Sequence, residues 1–257
     1  MSRVLRLPCG AGLDARRAVW LPDGRTLVVA DLHLGYAWEA RRRGQLFPLG
    51  NPESCGQRIL ELAAEYQPDR LVVLGDVIHG PAGRAPLEEA MAGWLPGLAA
   101  RCRVTLVLGN HDTALPAFLQ PRGWPVEVCL SLTVGNWTLC HGHQPVEPRG
   151  ERWMLGHEHP CLEVDDGVAS RVRVPCFLSG PQGLVLPVFS EWAAGCPLGH
   201  HPLLGQTARG MTFDTAIACV GESRLARVPL AGPSPAARRP GRPPGHAAAT
   251  RSDPGLF

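Results

Sequence analysis

The sequence predicts an α/β fold whose parallel strands end at one polar edge, and three observations lead to this prediction. Short apolar runs stop at acidic, amide or histidine residues, an amphipathic helix separates two of these runs, and short strands follow one another in the second half. A helix between two strands is typical of a parallel βαβ crossover. Open α/β sheets hold ligands outside the carboxyl ends of such strands, so these polar residues are candidates for a site.

The first apolar run, residues 27–30, ends at Asp31, Leu32 and His33. Side chains two residues apart in an extended segment point to the same side, so Asp31 and His33 can converge on one metal ion. Four later apolar runs end in similar groups, which are Asp76 with His79, Asn110-His111-Asp112, His141-Gly142-His143 and His157-Glu158-His159. The sequence therefore predicts one rim that collects oxygen and imidazole donors.

Residues that favour turns and helix ends predict where the strands and helices around this rim begin and end. Residues 17–21 and 25–29 flank a Pro-Asp-Gly turn at residues 22–24, which predicts a hairpin leading into the first motif. The amphipathic helix has its N-terminal signal at Asn51 and Pro52 and ends before Pro68.

A second helix is predicted over residues 86–94, where Pro96 is expected to break it. Short strands are then expected at residues 126–134, 137–140, 171–178, 183–189 and 211–220, with a turn at residues 179–182. The second half of the chain is thus mostly β-structure.

From about residue 231 the composition changes to Pro, Ala, Arg and Gly, with hardly an aliphatic residue. Such a segment cannot bury enough surface to fold. We therefore predict one domain over residues 1–230 and a disordered tail over residues 231–257.

The charge balance excludes a strong electrostatic argument for nucleic-acid binding, because the net charge is only +2. All 25 basic residues are arginines. Arginine suits bidentate phosphate contacts, but a compositional bias that also enriches Gly, Ala and Pro is the simpler explanation. The 257 residues suffice for a substantial core in one domain or two small ones.

The nine cysteines are scattered and form no C-x-x-C pair, which favours reduced thiols over a disulfide framework or a thiolate zinc site. The N-terminus lacks the apolar core of a signal peptide, and no apolar run approaches the ~20 residues of a membrane span. We expect a soluble, cytoplasmic protein that has no membrane partner.

The candidate metal ligands are all imidazole or oxygen donors: Asp31, His33, Asp76, Asn110, His141, His157 and His159. This set suits Mn, Fe or Zn, of which Mn is the first expectation. One tetrahedral metal needs only about four ligands, so seven imply two metals that share a carboxylate. Two adjacent cations can lower the pKa of a bridging water and hold phosphoryl oxygens, which favours phosphate-ester hydrolysis.

The five motifs, in this order and each after an apolar run, resemble the signature of the calcineurin-like metallophosphoesterase superfamily. The resemblance implies a four-layer αββα sandwich of two mixed sheets flanked by helices. It implies that Asp31, His33 and His159 bind the first metal, that Asn110, His141 and His157 bind the second, and that Asp76 bridges them.

The resemblance also implies that His111 protonates the leaving oxygen or stabilises the transition state, and that Asp112 orients His111. His79 is expected to hydrogen-bond beside the ligands rather than to bind metal, and His143 and Glu158 could serve likewise.

Residues 36–43 are predicted to form a helix that carries Arg41, Arg42 and Arg43 soon after the first motif. A solvated helix face explains three adjacent charges most simply. A phosphate-contacting patch is the alternative, so the three arginines are weak candidates for substrate binding.

The residues flanking the motifs, among them residues 186–189, resemble a narrower group: the SbcD-related phosphoesterases and the ligase-associated DNA-damage-response endonuclease family, PdeM. This resemblance covers residues 18–228 and implies phosphodiester cleavage, DNA as substrate, and a DNA-repair ligase or helicase as partner. His141 and His157 are close in sequence and leave no room for a capping domain between them, which fits a broad phosphodiesterase activity.

Two other functions stay open. One is a phosphomonoesterase or nucleotide pyrophosphatase acting on a small metabolite, with its preference set by loops at residues 80–84 and 144–149. The other is a scaffold that keeps the fold without catalysis, which the presence of Asp76, Asn110 and His111 disfavours.

Overall fold

The apolar runs of the first half form the centre of a seven-stranded sheet of order β1-β2-β3-β4-β5-β6-β7 in the computed structural model. The structure describes residues 2–46, 54–80, 85–165, 167, 170–193, 195–199 and 202–230. The strands are β1 (Val4–Arg6), β2 (Gly12–Asp14), β3 (Ala18–Leu21), β4 (Thr26–Val29), β5 (Arg70–Leu74), β6 (Arg103–Val107) and β7 (Val126–Cys129). The predicted hairpin is confirmed, because β3 pairs antiparallel with β4.

The strands β4 to β7 run parallel to one another. The apolar residues of β4 and β5 are buried, as expected for a parallel sheet covered on both faces. Val73 of β5 packs against the helices, whereas Val72 faces the second sheet. The carboxyl ends of β4, β5 and β6 consequently lie along one edge of the sheet.

The helices of the described chain are α1 (Tyr36–Arg42), α2 (Ser54–Tyr66), α3 (Ala85–Ala92), α4 (Leu95–Ala99) and α5 (Leu115–Leu119). The helices α2 to α5 contribute buried residues to the core on the outer face of the first sheet. The prediction for Pro96 was wrong in one respect. Pro96 lies in the first turn of α4, where its missing N–H has no partner to lose, so it begins a helix instead of only ending one.

A second sheet of nine strands has the order β14-β11-β12-β13-β10-β9-β8, with β15 paired to β12 and β16 paired to β15. Its strands are β8 (Ser131–Val134), β9 (Trp137–Cys140), β10 (Arg152–Leu155), β11 (Pro160–Asp165), β12 (Arg171–Gly180), β13 (Gly183–Val185), β14 (Cys196–Pro197), β15 (Thr215–Val220) and β16 (Arg224–Pro229). The strands β9, β10 and β13 are parallel, which aligns the ends of β9 and β10.

Three strand predictions were wrong in extent. The strand expected over residues 211–220 begins only at Thr215. The single strand expected over residues 126–134 is two strands, because the chain passes from the first sheet to the second at Leu130. The strand expected over residues 183–189 ends at Val185, and the residues that follow cross back toward the first sheet. A continuous apolar run predicts extended, buried chain but does not tell which sheet the chain joins.

The inner faces of the two sheets form a common core that includes Val28, Leu74, Leu139 and Phe177. The outer face of the second sheet is covered by loop residues such as Val146 and by the 3-10 helix Ala208–Gly210. The predicted class, two mixed sheets flanked by helices, is confirmed.

All nine cysteines are free thiols. Within the described ranges, no helix is both long and apolar enough to cross a membrane. The predictions for the cap at residues 51–52, the loop at residues 81–84 and the tail at residues 231–257 lie outside the described residues.

Candidate metal centre

The five sequence motifs meet where the two sheets adjoin. Asp31 and His33 follow β4, Asp76 follows β5 and Asn110 follows β6, while the histidine motifs follow β9 and β10. Because β4, β5 and β6 are parallel and β9 is parallel to β10, all five loops leave at the carboxyl ends of their strands. The predicted ligands are thereby drawn to one rim.

A first donor cluster consists of Asp31, His33, Asp76 and His159, whose ligand atoms all lie within 4.8 Å of one another. His33 Nε2 lies 3.2 Å from His159 Nε2 and 3.7 Å from Asp76 Oδ2. His159 Nε2 is also 3.4 Å from Asp31 Oδ1. These four residues can surround one cation.

A second cluster consists of Asp76, His141 and His157. His141 Nε2 lies 3.5 Å from Asp76 Oδ2, 3.2 Å from His157 Nδ1 and 3.2 Å from the side-chain oxygen of Asn110. Asp76 belongs to both clusters, so its carboxylate is the shared element. The structure thus brings all seven predicted ligands together.

The chemistry of these donors fits divalent cations. Burial lowers the pKa of His33 from 6.5 to about 3, and burial followed by the charge of His141 lowers the pKa of His157. Neutral imidazole is the form that binds metal. His141 Nδ1 lies 2.9 Å from the carbonyl oxygen of Leu74, so an Nδ1–H donated there leaves Nε2 free for a cation.

Asp31 favours a positive charge beside it. Burial alone would raise the pKa of Asp31, but the charge and hydrogen bond of His159 and the charges of His141 and His33 lower it below its ordinary value. Burial would lower the pKa of His159, and Asp31 reverses this and raises it. A protonated imidazole or a cation can supply that positive charge.

The backbone of the site is strained at five ligands. Asp31, His33, Asp76, His157 and His159 have φ values of 59°, 45°, 45°, 70° and 46°. Left-handed conformations are uncommon outside glycine, cost about 1–3 kcal/mol each when sparsely populated, and cluster at functional sites. The surrounding fold must hold these turns in place.

Glycines allow the motif loops to approach one another. A Cβ on Gly109 would lie 2.2 Å from Asp76 Oδ1, and a Cβ on Gly75, whose φ is +75°, would lie 2.3 Å from His141 Nδ1. No larger residue fits at either position without moving a ligand.

The sequence model of the calcineurin-like phosphoesterase family matches residues 24–166, which include all seven candidate ligands. The chain belongs to the calcineurin-like phosphoesterase family. It is a metal-dependent phosphoesterase, and its two donor clusters, which share Asp76, provide candidate positions for two metal ions.

A nuclease named MPE from Pseudomonas putida is a similar solved structure. The two chains are 25% identical with a TM-score of 0.65, over 88% of this chain and 100% of the nuclease. A Vps29 variant from Entamoeba histolytica is 13% identical with a TM-score of 0.33, over 80% of this chain and 99% of Vps29. No curated protein sequence matches this chain.

His111 lies on the open side of the phosphoesterase site. Its backbone N–H donates to Asp76 Oδ1 at 2.9 Å, while its side chain is 40% exposed and its Nε2 is 4.0 Å from Asp76 Oδ2. The His111 ring stacks on His79 with centroids 4.8 Å apart. His111 can therefore meet a ligand that approaches the ligand cluster from solvent.

Asp112 contacts backbone groups. Its carboxylate accepts hydrogen bonds from the N–H groups of Val77, Ile78 and Gly109, at 3.2, 3.0 and 2.9 Å. These bonds tie the loop that carries Asp76 to the loop that carries His111. The geometry thus places Asp112 as a clamp between two loops, and its influence on His111 passes through the backbone.

His79 and His143 lie beside the ligands, and of the two only His79 meets the expectation of a polar contact with a ligand within the described residues. His79 Nδ1 is 3.1 Å from His33 Nδ1, and the ring of Tyr36 lies 4.8 Å from the His79 ring. The His143 ring is 5.1 Å from that of His141, and its Nδ1 is buried without a hydrogen-bond partner in the described part of the chain.

The three arginines of α1 differ in their contacts. Arg42 Nε and Arg43 Nε donate to the Glu39 carboxylate at 3.1 and 3.2 Å, and these bonds help to lower the pKa of Glu39 to about 2. Arg41 is exposed. The helix-face interpretation accounts for Arg42 and Arg43.

Glu158 is not among the predicted ligands, but it lies beside them. Its buried carboxylate accepts the N–H groups of Leu204 and Gly205, at 2.8 and 2.6 Å, and so fastens a distant loop beside His157 and His159. The position of Glu158 between His157 and His159 indicates a role at the site from the sequence alone. Its hydrogen bonds to Leu204 and Gly205 could not be predicted, because these residues are distant in sequence.

Proposed function

We propose that this phosphoesterase hydrolyses phosphodiester bonds with two Mn²⁺ ions, and that DNA is a substrate. The observation that carries the proposal is the pair of donor clusters that share Asp76, with His111 on their open side. Support for a nucleic-acid substrate comes from the similarity to a protein described as a nuclease.

The first ion would be held by Asp31, His33, Asp76 and His159. The second would be held by Asp76, Asn110, His141 and His157. When bound, two such ions lower the pKa of a water molecule and offset the charge that develops on the phosphoryl oxygens.

His111 supplies the proton that the leaving oxygen needs. Its ring reaches solvent, and its backbone N–H is bonded to Asp76, so the ring stays beside the ligands while a substrate approaches. Asp112 keeps this loop in place through Gly109. A general acid in such a position accelerates cleavage by about 10²–10⁴-fold.

The shape of the rim favours a diester over a monoester. A diester carries a second esterified group, which must extend out of the site. The strands β9 and β10 are adjacent, and the short segment 141–151 that joins them leaves the rim free of an inserted domain. Exposure of His111 on the same side leaves room for the second group.

The proposal extends to the setting of the reaction. The motifs resemble those of DNA-damage-response endonucleases, so we infer a role in DNA repair beside a ligase or helicase. The nine free cysteines favour a reducing compartment, and we place the protein in the cytoplasm. Arg41, which is exposed, stays a candidate for phosphate contact, whereas Arg42 and Arg43 are paired with Glu39.

The test compares two chromogenic substrates, bis(p-nitrophenyl) phosphate and p-nitrophenyl phosphate, on metal-stripped protein with and without Mn²⁺. The proposal predicts diester turnover that requires Mn²⁺ and is lost in Asp76→Asn, followed by nicking of a supercoiled plasmid under the same conditions. Turnover of the monoester alone would move the function to small phosphorylated metabolites. No turnover of either substrate in Mn²⁺-loaded protein would favour the scaffold.

A further inference from the structure

A buried segment, residues 186–190, crosses between the two sheets next to the metal ligands, and we call it the bridging segment. Leu186 N–H donates to Leu155 O of β10 at 2.8 Å. Phe189 N–H donates to Ala30 O at 2.8 Å, and Ser190 N–H donates to Asp31 O at 3.2 Å. The bridging segment therefore holds the backbone of a ligand in the first sheet from a position fixed on the second.

Two arginines donate hydrogen bonds to the carbonyl groups of the bridging segment. Arg17 donates one Nη1 group to Val188 O at 3.2 Å and to Ser190 O at 2.9 Å, and Arg58 Nη1 donates to Phe189 O at 2.8 Å. Three consecutive carbonyl groups thus depend on two guanidinium groups. Buried carbonyls without a partner are costly, so these bonds fix the conformation of the segment.

The arginines are themselves held in place. Arg58 is buried, donates Nη2 to Arg16 O at 3.2 Å, and lies with its guanidinium carbon 4.2 Å from the centre of the Phe189 ring. Its Nε is 3.0 Å from Glu222 Oε1. Arginine is seldom buried unless it is paired. The partners of Arg58 are Arg16 O, the Glu222 carboxylate and Phe189 O of the bridging segment.

We propose that Arg17 and Arg58 are positioning residues for the metal ligand Asp31, an inference that rests on the proposed metal centre. Through the bridging segment they hold Asp31 in its left-handed conformation, with φ at 59°. From this conformation the Asp31 carboxylate reaches His159 and accepts the N–H of His157 at 3.1 Å. Neither arginine binds the cation.

Loss of either arginine affects one metal position more than the other. Asp31 belongs to the first cluster and offers a ligand atom there. The second cluster meets Asp31 only through the backbone N–H of His157 and through His141 Nδ1, which lies 3.5 Å from Asp31 Oδ1. We expect Arg17→Gln to weaken one of two Mn²⁺ affinities by about tenfold or more, which is the scale of outer partners of metal ligands. The second affinity should fall by a smaller factor than the first, because Asp31 supplies no ligand atom to the second cluster.

The experiment is an equilibrium titration of the metal-stripped full chain with Mn²⁺, in which free Mn²⁺ is counted by electron paramagnetic resonance. Arg17→Gln, Arg17→Lys and Arg58→Lys are compared with the wild type. The lysine variants keep the charge but lack the planar fork of donors, so an intermediate loss is expected. If Arg17→Gln does not fold, the lysine variants still decide the question.

The matched control is Arg25→Gln. Arg25 follows the turn of the same hairpin, has a positive φ of 41°, and also donates to a backbone carbonyl, that of Gln67. Its contacts lie at the opposite end of β4 from Asp31. We expect both Mn²⁺ affinities of this variant to equal those of the wild type.

The outcomes separate the two proposals. A wild type that binds no pair of Mn²⁺ ions overturns the proposed function. A wild type that binds two, with an Arg17→Gln variant that binds both unchanged, overturns the inference alone. Equal weakening of both ions, matched by a lower unfolding temperature of the metal-free variant, also contradicts it, since that is the result of a general loss of stability.

Discussion

Charged residues are buried at one end of the first sheet and exposed at the other. At the carboxyl end, Asp31 and Asp76 have side chains only 0% and 3% exposed and lie among histidines. At the other end, Arg25 and Asp69 form an ion pair at 3.3 Å with side chains 51% and 71% exposed. The charged groups at the carboxyl end are therefore shielded from water, and those at the other end are solvated.

The fold bears the free-energy cost of buried charge and of strained backbone at the carboxyl end of the sheet. Exposed pairs such as Arg25 with Asp69 contribute little, about 0–1 kcal/mol. Buried carboxylates and neutral imidazoles held in left-handed turns are unfavourable by themselves, and the surrounding core must offset them. Strain and burial concentrated at one end mark that end as the site of chemistry.

We expect the largest loss of activity from Asp76→Asn, because this substitution removes the carboxylate common to both clusters. Two-metal sites supply several kcal/mol of transition-state stabilisation, so we expect diester turnover to fall by about 10³-fold or more. Steady-state hydrolysis at saturating Mn²⁺ measures this. A variant that keeps a tenth of wild-type turnover would contradict a shared role for Asp76.

His111→Gln should lower turnover by about 10²-fold while both ions still bind. The loss should depend on the leaving group, because p-nitrophenolate needs little protonation and a sugar hydroxyl needs much. The measurement compares a nitrophenyl diester with a dinucleotide at the same Mn²⁺ concentration. An equal loss on both substrates would argue against proton donation by His111.

Gly109→Ala tests whether the close packing at the carboxyl end of the first sheet is needed for activity and stability. The new Cβ would lie 2.2 Å from Asp76 Oδ1, so we expect lost activity and a decrease of about 1–3 kcal/mol in the free energy of unfolding. Gly97→Ala in α4 is the control, because its Cβ meets nothing within 4 Å. It should stabilise by about 0.5–1 kcal/mol. Urea titrations of both variants test the contrast, and equal stabilities would refute it.

Acid should destabilise the metal-free protein through His33. The folded pKa is about 3 and the ordinary value is 6.5, so between these values the unfolded chain binds a proton that the folded protein does not. Stability falls as the pH drops through this window, by at most about 1.4 kcal/mol per pH unit from this residue. Urea titrations from pH 7 to 4 should show a smaller slope in His33→Asn. An unchanged slope would mean that His33 is protonated in the folded state.

The smallest effect is expected at the opposite end. Asp69→Asn removes the exposed partner of Arg25 and should change stability by less than about 1 kcal/mol, without altering turnover or Mn²⁺ binding. Thermal unfolding at low and high salt measures this. A large loss of stability in this variant would contradict the expectation that the exposed pair contributes little.

The sequence predicted what is local. The ends of β4 and β5 could be recognised because an apolar run stops at a charged residue, and Asp31 and Asp76 stand at those stops. The fold class followed from the same runs. Local pattern also located the hairpin, since the Pro-Asp-Gly turn separates two apolar segments.

What the sequence could not predict depends on contacts between distant residues. Arg17 donates to the carbonyl groups of Val188 and Ser190, which lie 171 and 173 positions further along the chain, so no periodicity in the sequence could predict these bonds. The partner of Glu158 is a loop 46 positions away. The break at Leu130 depends on which sheet offers a free edge, a property of the whole fold.

The central claim is that two cations share Asp76, and the most direct measurement counts Mn²⁺ per chain at saturation beside diester turnover. The account predicts two ions in the wild type, fewer than two in Asp76→Asn, and turnover that is restored to metal-stripped wild type only as both positions fill. One ion or none in an active wild type, or full turnover after complete removal of metal, would contradict it.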